Sequence, residues 1–287
     1  MPTYVKSFPL FLLVPFVLCF VGGVFGQIAE SMPVHRRLNV AHRGASYLAP
    51  ENTLIAYRIA ISAGADGAEC DVYTTGDGVA ILSHDKSTKR TMGGVDKDIT
   101  KIGWTDIQAL DAGAWKGKQF KGEPVPTLEA YLELLKGTNC HPVIEIKMDG
   151  IEQPVLDVIR KPGMVDVTTI IAFSPEVVKT VRKLEPNICV AFLYSENFKD
   201  KGTPEENADR LTEFLLNRCK DLDTKVLDLN HDILSETLVK RLQGAGIHVW
   251  CWTVNDAARM NRLLDWGVES ITTDRPELLN DVLKNRN

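Results

Sequence analysis

From residue 38 onward the chain repeats one alternation: a short apolar, β-branched run, then a longer stretch with apolar positions three and four apart. Short apolar runs with little polar alternation read as parallel strands buried on both faces. They fall at 38–42, 67–73, 142–147, 169–173, 188–194, 225–229, 247–253 and 268–272. Amphipathic helices are predicted at 52–63, 175–184, 205–219, 235–244, 256–265 and 276–284, among others. Ser174-Pro175 and Asp274-Arg275-Pro276 are helix-entry residues, and Gly244-Ala245-Gly246-Ile247 ends one helix and launches the next strand. About eight βα units in roughly 250 residues predict an α/β fold of the TIM (β/α)8 barrel type. A doubly wound open sheet competes, but it carries a Gly-rich phosphate loop after its first strand. Here the first strand runs into His42-Arg43-Gly44.

Two departures from this rhythm are informative. After strand two, Thr74-Thr75-Gly76-Asp77-Gly78 precedes a second apolar run, 79–83. Asp-Gly between two such runs signals a β-hairpin, so a return arm carries His84. Residues 85–126 then show turn residues, scattered charge, Trp104 and Trp115, and little period. They predict a small inserted subdomain over the barrel mouth.

The first residues follow another pattern. Lys6 is the only charged side chain before Glu30, and residues 8–25 are almost wholly apolar. That reads as a signal peptide spanning 1–26, followed by a barrel domain at 36–287, and implies export to a periplasm or the medium. A retained membrane anchor is the rival, because roughly 18 apolar residues can span a bilayer. Pro15 and Gly22-Gly23 favour cleavage, which leaves no stable membrane span. Cys70, Cys140, Cys189, Cys219 and Cys251 remain after cleavage. An odd count at scattered spacing does not make a disulfide framework, and without a CxxC pair there is no zinc–thiolate motif.

Composition is ordinary for a globular chain, with 44% hydrophobic and 25% charged residues. The net charge of -5 gives no basic face for a nucleic-acid partner. It also means that any site for an anion needs a local cation to reverse the field.

The chemistry-bearing residues gather at strand ends. Glu69 and Asp71 flank Cys70 on one strand and share a face. Two carboxylates side by side in a barrel interior need a cation, either a hard divalent metal (Ca²⁺, Mg²⁺, Mn²⁺) or Arg and Lys partners. Glu145-Ile146-Lys147 repeats the logic, as a third metal carboxylate or as an internal ion pair. His42-Arg43 closes strand one, Glu51 opens the next helix, and His84-Asp85 closes the hairpin arm. Polar residues at the carboxyl ends of TIM-barrel strands read as catalytic. Histidine is the usual proton carrier near neutral pH, and arginine forks onto phosphate oxygens. No Gly-x-Ser-x-Gly elbow and no HExxH is present, so serine hydrolase and zincin chemistry have no starting point.

His42-Arg43, Glu69-x-Asp71 and His84 together resemble the HR…ExD…H signature of the glycerophosphodiester phosphodiesterases. The resemblance extends through Ala41 to Gly44, Pro50-Glu51-Asn52-Thr53, Thr127-Leu128-Glu129, Glu145-Ile146-Lys147, Trp252-Thr253-Val254-Asn255 and Thr273-Asp274-Arg275-Pro276. It implies a barrel with one divalent metal ion, Ca²⁺ or Mg²⁺, on Glu69, Asp71 and Glu145, with Glu51 lining the site. By the same resemblance His42 and His84 form a general acid/base pair, and Arg43, Lys147 and Trp252 hold the substrate. The expected reaction is hydrolysis of a glycerophosphodiester to sn-glycerol 3-phosphate and an alcohol. A related barrel phospholipase acting on lysophospholipids or sphingomyelin is the nearest rival, and it needs a greasy entrance. Lys86, Lys89, Arg90, Lys97, Lys101, Lys116, Lys118 and Lys121 make the insertion polar and basic instead. A non-catalytic exported binding protein would predict a damaged motif, and the motif is intact.

Overall fold

The structure, a computed structural model, describes Met1, residues 38–196 and residues 203–286. The predicted signal segment thus lies outside the described residues apart from Met1. Eight parallel strands form a closed barrel: β1 (Leu38–Ala41), β2 (Gly67–Thr74), β4 (His141–Ile146), β5 (Thr169–Ala172), β6 (Cys189–Tyr194), β7 (Val226–Asn230), β8 (His248–Trp252) and β9 (Ser270–Thr273). Neighbours run β1-β9-β8-β7-β6-β5-β4-β2, and β1 pairs with β2 to close the ring. β3 (Ala80–Leu82) stands outside it, antiparallel to the upper end of β2, with Val72 opposite Leu82 and Thr74 opposite Ala80. The Asp-Gly hairpin is therefore present, and β2 serves both the barrel and the arm.

Strand alternation sorts the core into two parts. Cys70, Ile144, Ile170, Leu227, Val249 and Ile271 face outward into the main core beneath the helices. Val40, Val143, Ile171, Ala191, Leu193 and Trp250 face inward and plug the barrel. The helices are α1 (Leu54–Ser62), α2 (Trp104–Ile107), α3 (Leu128–Leu135), α4 (Glu152–Arg160), α5 (Pro175–Leu184), α6 (Pro204–Asp221), α7 (Glu236–Gly244), α8 (Ala257–Trp266) and α9 (Pro276–Lys284). The side chains of Thr53, Thr127, Ser174, Ser235 and Asp256 each accept a first-turn amide, worth about 1 kcal/mol apiece.

Strand and helix positions agree with the sequence reading to within a residue or two, with three helices added, α2 inside the insertion and α3 and α4 outside it. α4 escapes the pattern because Pro154 reads as a breaker. It falls in the first turn, where a missing N–H costs nothing. α3 is short and follows directly on the insertion. The insertion itself folds around its own small core of Ile81, Met92, Ile99, Ile107, Ala112 and Val125, anchored on the hairpin arm through Ile81. The five cysteines are unpaired, and Cys70 and Cys251 act as small buried apolar groups. Among the described residues no helix is long and apolar enough to cross a membrane.

Candidate active site

The turn after β1 builds the first half of the site. β1 ends one residue earlier than the sequence suggests, at Ala41, yet the His42 amide still donates to Thr273 O at 2.8 Å and continues the ladder. Arg43 and Asn52 both adopt left-handed φ values of 56°. Such backbone costs about 1–3 kcal/mol for a residue with a Cβ and persists only where surrounding contacts fix it. The contacts are visible. The Arg43 amide donates to Glu69 Oε2 at 2.8 Å, and the Asn52 amide donates to Arg43 O at 3.0 Å. Gly44 (φ 82°) follows, where a Cβ would meet Ala56 at 2.7 Å, so this tight turn excludes other residues.

The three carboxylates expected to hold a metal converge. Glu69, Asp71 and Glu145 each offer an oxygen within 4.8 Å of the others, the first two from the middle of β2 and the third near the carboxyl end of β4. Lys147 Nζ donates to Glu145 Oε1 at 2.7 Å and lies 3.2 Å from Asp71 Oδ1. Arg43 Nε sits 3.2 Å from Asp71 Oδ2, and Arg43 Nη1 donates to Glu51 Oε1 at 2.9 Å. Asn52 Nδ2 donates to Asp71 Oδ2 at 2.8 Å, while Asn52 Oδ1 accepts from the Tyr57 hydroxyl at 2.9 Å. The internal ion pair and the carboxylate cluster are thus both present.

These carboxylates are not equivalent. Burial favours a protonated Asp71, but Arg43, Lys147 and the Asn52 hydrogen bond outweigh it and hold its pKa below the ordinary value. Glu69 is pushed well up by burial and by the charge of Asp71. Glu145 is pushed up to about 7 by the same two causes, offset in part by Lys147. Burial lowers the pKa of Lys147, but Asp71 and Glu145 outweigh it and raise it. Asp71 Oδ1 is buried and, apart from the Lys147 ammonium at 3.2 Å, has no hydrogen-bond partner. A lone pair left over in a ring of hard oxygen donors fits a divalent cation.

Each predicted catalytic histidine has its own carboxylate. His42 Nδ1 lies 2.6 Å from Asp274 Oδ1, after β9. Burial would raise the pKa of Asp274, but hydrogen bonds from His42, Ser46 and Asn255 hold it at about 2. It is charged at neutral pH, so His42 Nδ1–H donates and Nε2 is left free. His84 Nδ1 lies 2.8 Å from Asp85 Oδ1, beyond the end of β3. Burial, with Arg43 and Lys147, lowers the pKa of His84 against the pull of Asp71. A cleft of about 710 Å³ opens on this side, lined by Tyr73, His84, Asp85, Lys86, Ser87, Lys89, Arg90, Asp96 and Lys147. Trp252, across the barrel, is half-buried. Its Nε1–H donates to Asp228 O at 3.1 Å, and its ring meets Phe173 edge-on at 5.5 Å.

Residues 42–278 match the glycerophosphoryl diester phosphodiesterase family. The chain belongs to this family. It is 32% identical over 256 residues to a glycerophosphodiester phosphodiesterase of Caldanaerobacter subterraneus, covering 87% of this chain and 98% of that protein. It is 32% identical over 274 residues to a glycerophosphodiester phosphodiesterase of Bacillus subtilis, covering 87% of each. Among solved structures, an Oleispira antarctica phosphodiesterase in complex with the product sn-glycerol-3-phosphate is similar at TM-score 0.75 and 26% identity, covering 85% of this chain and 96% of that one. The protein is therefore a phosphodiesterase on a TIM barrel.

Against this family background, several residues that shape the site stand outside the sequence expectation. Asp274 carried no role, although it lies in a motif the family shares. Asp85 directly follows His84, and adjacency was the available signal. Asn52 joins Asp71 to Tyr57 and sits inside Pro50-Glu51-Asn52-Thr53. Asp228 had no signal at all: its strand, VLDLN, reads simply as buried. Its side chain is 1% exposed, Oδ1 has no partner, and burial with the charge of Glu145 pushes it up to about 8.

Proposed function

We propose that this protein hydrolyses glycerophosphodiesters to sn-glycerol 3-phosphate and an alcohol. Glu69, Asp71 and Glu145 hold one divalent cation, Ca²⁺ or Mg²⁺, and His42 and His84 carry the protons. The observation behind this reading is the pairing of two carboxylate-held imidazoles with a three-carboxylate cluster and two side-chain cations at one barrel rim. The bound metal supplies charge neutralisation at a phosphoryl oxygen. Arg43 and Lys147 bind the remaining phosphate oxygens and stabilise charge as it builds. One imidazole takes the proton of the nucleophile, which is water or the neighbouring glycerol hydroxyl. The other protonates the departing alcohol oxygen. Asp274 and Asp85 fix the two rings so that Nε2 of each faces the reaction. Trp252 packs its exposed face against the glycerol carbons, and Glu51 keeps Arg43 aimed.

The cleft beside His84 supports a small polar substrate over a lipid. Tyr73 is its one aromatic lining residue, and charged side chains make up most of the rest. The apolar run at residues 8–25 supports export to a periplasm or the medium. The deciding experiment supplies glycerophosphocholine with Ca²⁺, Mg²⁺ or Mn²⁺ and reads glycerol 3-phosphate with a coupled dehydrogenase. Turnover is expected with at least one metal and much less with a lysophospholipid. Failure with all three metals, or preference for the lysophospholipid, overturns the reading.

A further inference from the structure

The two histidines are anchored very differently. His42 continues the barrel ladder through its amide, and its partner Asp274 accepts further hydrogen bonds from Ser46 Oγ at 2.8 Å and Asn255 Nδ2 at 2.6 Å. Both His42 and Asp274 thus rest on the closed barrel. His84 lies beyond β3, the strand outside the ring, and its partner Asp85 begins the insertion. The ladder ends one residue short, at Ser83, whose amide donates to Asp71 O at 3.0 Å and whose Oγ donates to Asp85 O at 2.8 Å. These bonds hold the backbone and leave the side chains of His84 and Asp85 unfixed, yet a proton carrier must be placed within a fraction of an ångström. A mislocation of about 1 Å can cost on the order of 10²-fold in rate.

One side chain bridges this gap. Arg90, from the insertion, donates through Nε to Asp85 Oδ2 at 2.6 Å. Its Nη1 and Nη2 donate to Glu51 Oε2 and Oε1 at 2.7 and 2.8 Å, a bidentate fork. Asp85 Oδ1 in turn holds His84 Nδ1 at 2.8 Å, and Glu51 Oε1 accepts from Arg43 Nη1 at 2.9 Å. A continuous chain therefore runs His84–Asp85–Arg90–Glu51–Arg43 from one side of the site to the other. The loop that carries Arg90 is itself fixed, since the Thr88 amide donates to Lys97 O and Thr88 Oγ1 donates to Val95 O. Only a planar guanidinium satisfies two carboxylates on two edges at once; an ammonium is a point charge on a flexible stem.

We propose that Arg90 is a positioning residue: it fixes the His84 imidazole through Asp85 and locks it in register with the Arg43 side of the site through Glu51. This rests on His84 acting as a proton carrier. Arg90 is 43% exposed, and ion pairs this open contribute little to stability. A purely structural Arg90 would show itself in thermal stability, whereas a positioning role shows itself in rate and in the state of the His84 ring.

The test compares Arg90→Ala, Arg90→Lys and, as a control in the same insertion, Lys101→Ala, whose side chain is 77% exposed. Steady-state kinetics on glycerophosphocholine are combined with ¹⁵N imidazole spectra, the His84 signal being assigned by its loss in His84→Gln. Arg90→Ala is expected to lower kcat by about 10²-fold with KM changed less than about threefold and the melting temperature nearly unchanged. Arg90→Lys should recover only part of that loss, and Lys101→Ala should match the wild type. The wild-type His84 signal should report a proton held on Nδ1, and Arg90→Ala should convert it to exchanging tautomers. If Arg90→Ala does not fold, Arg90→Gln serves in its place. Wild-type kcat in the Arg90 variants, or a lost kcat with the His84 signal unchanged, overturns the proposal. If the wild type itself turns over no glycerophosphodiester, the functional reading fails, and the spectra still decide whether Arg90 holds His84.

Discussion

Asp228 offers a test of the barrel interior that needs no substrate. It sits on β7 with its side chain 1% exposed, one oxygen unpartnered and its pKa pushed up to about 8 by burial and by Glu145. In the unfolded chain an aspartate titrates near pH 4. Between those values the unfolded state releases a proton that the native state keeps. The contribution of Asp228 to stability is therefore complete below about pH 4 and is lost as pH rises toward 8, the reverse of a salt-bridged aspartate. Each pH unit removes about 1.4 kcal/mol, so the loss reaches roughly 5 kcal/mol by pH 8. Set against the about 5–15 kcal/mol of a typical domain, that is a large part of the total. Asp228→Asn keeps the shape and removes the titration. Urea unfolding of both proteins in chelator, from pH 4.5 to 9, should show the variant gaining on the wild type at that slope, levelling off near pH 8. A difference that stays flat with pH, or a variant less stable than the wild type at pH 8, would mean that Asp228 is ionised and partnered.

Two further outcomes test the site. His42→Ala and His84→Ala should each lower kcat on glycerophosphocholine by about 10²–10⁴-fold, measured as glycerol 3-phosphate release; near-wild-type rates in either would remove that ring from the chemistry. Chelation should abolish turnover and added Ca²⁺, Mg²⁺ or Mn²⁺ restore it. Calorimetric unfolding should show about 2.7 kcal/mol of stabilisation at a hundredfold excess over Kd, needing less metal as pH rises through 7 and absent in Glu145→Gln. Activity that survives exhaustive chelation argues against the metal.

The barrel was legible because each strand obeys a local rule. An apolar run bounded by helix signals means a strand buried on both faces wherever it falls, so β5, β6 and β7 needed no partner to be read. Strand alternation also put Glu69 with Asp71 and Glu145 with Lys147 on shared faces. What escaped depends on contacts between distant segments. Asp274 meets His42 only because β1 and β9 are neighbours in the ring, 232 residues apart in sequence. Arg90 resembled one more solvated cation in a basic insertion until the fold brought it to Glu51, 39 residues away. Asp228 escaped for a different reason: a single carboxylate inside an apolar run carries no signal of whether it is paired, charged or neutral.

The charge balance explains why the two acidic motifs read equally well as metal ligands and as ion pairs. Around the site Arg43, Lys147 and Arg90 face Glu51, Glu69, Asp71, Asp85 and Glu145, so the anions outnumber the cations by two charges. Every local pair is a real ion pair, and the cluster as a whole still lacks positive charge. A proton can supply it, which is why burial and Asp71 raise Glu145 to about 7 and Glu69 well above its ordinary range. One proton still leaves the site with an excess of negative charge, which repels a phosphodiester from a chain of net charge -5. A divalent cation in the same place would cancel the whole excess and concentrate positive charge among these oxygens, reversing the local field in a negative protein. On the proposed reading proton and metal compete for one set of oxygens, which is why less metal should be needed as pH rises through 7.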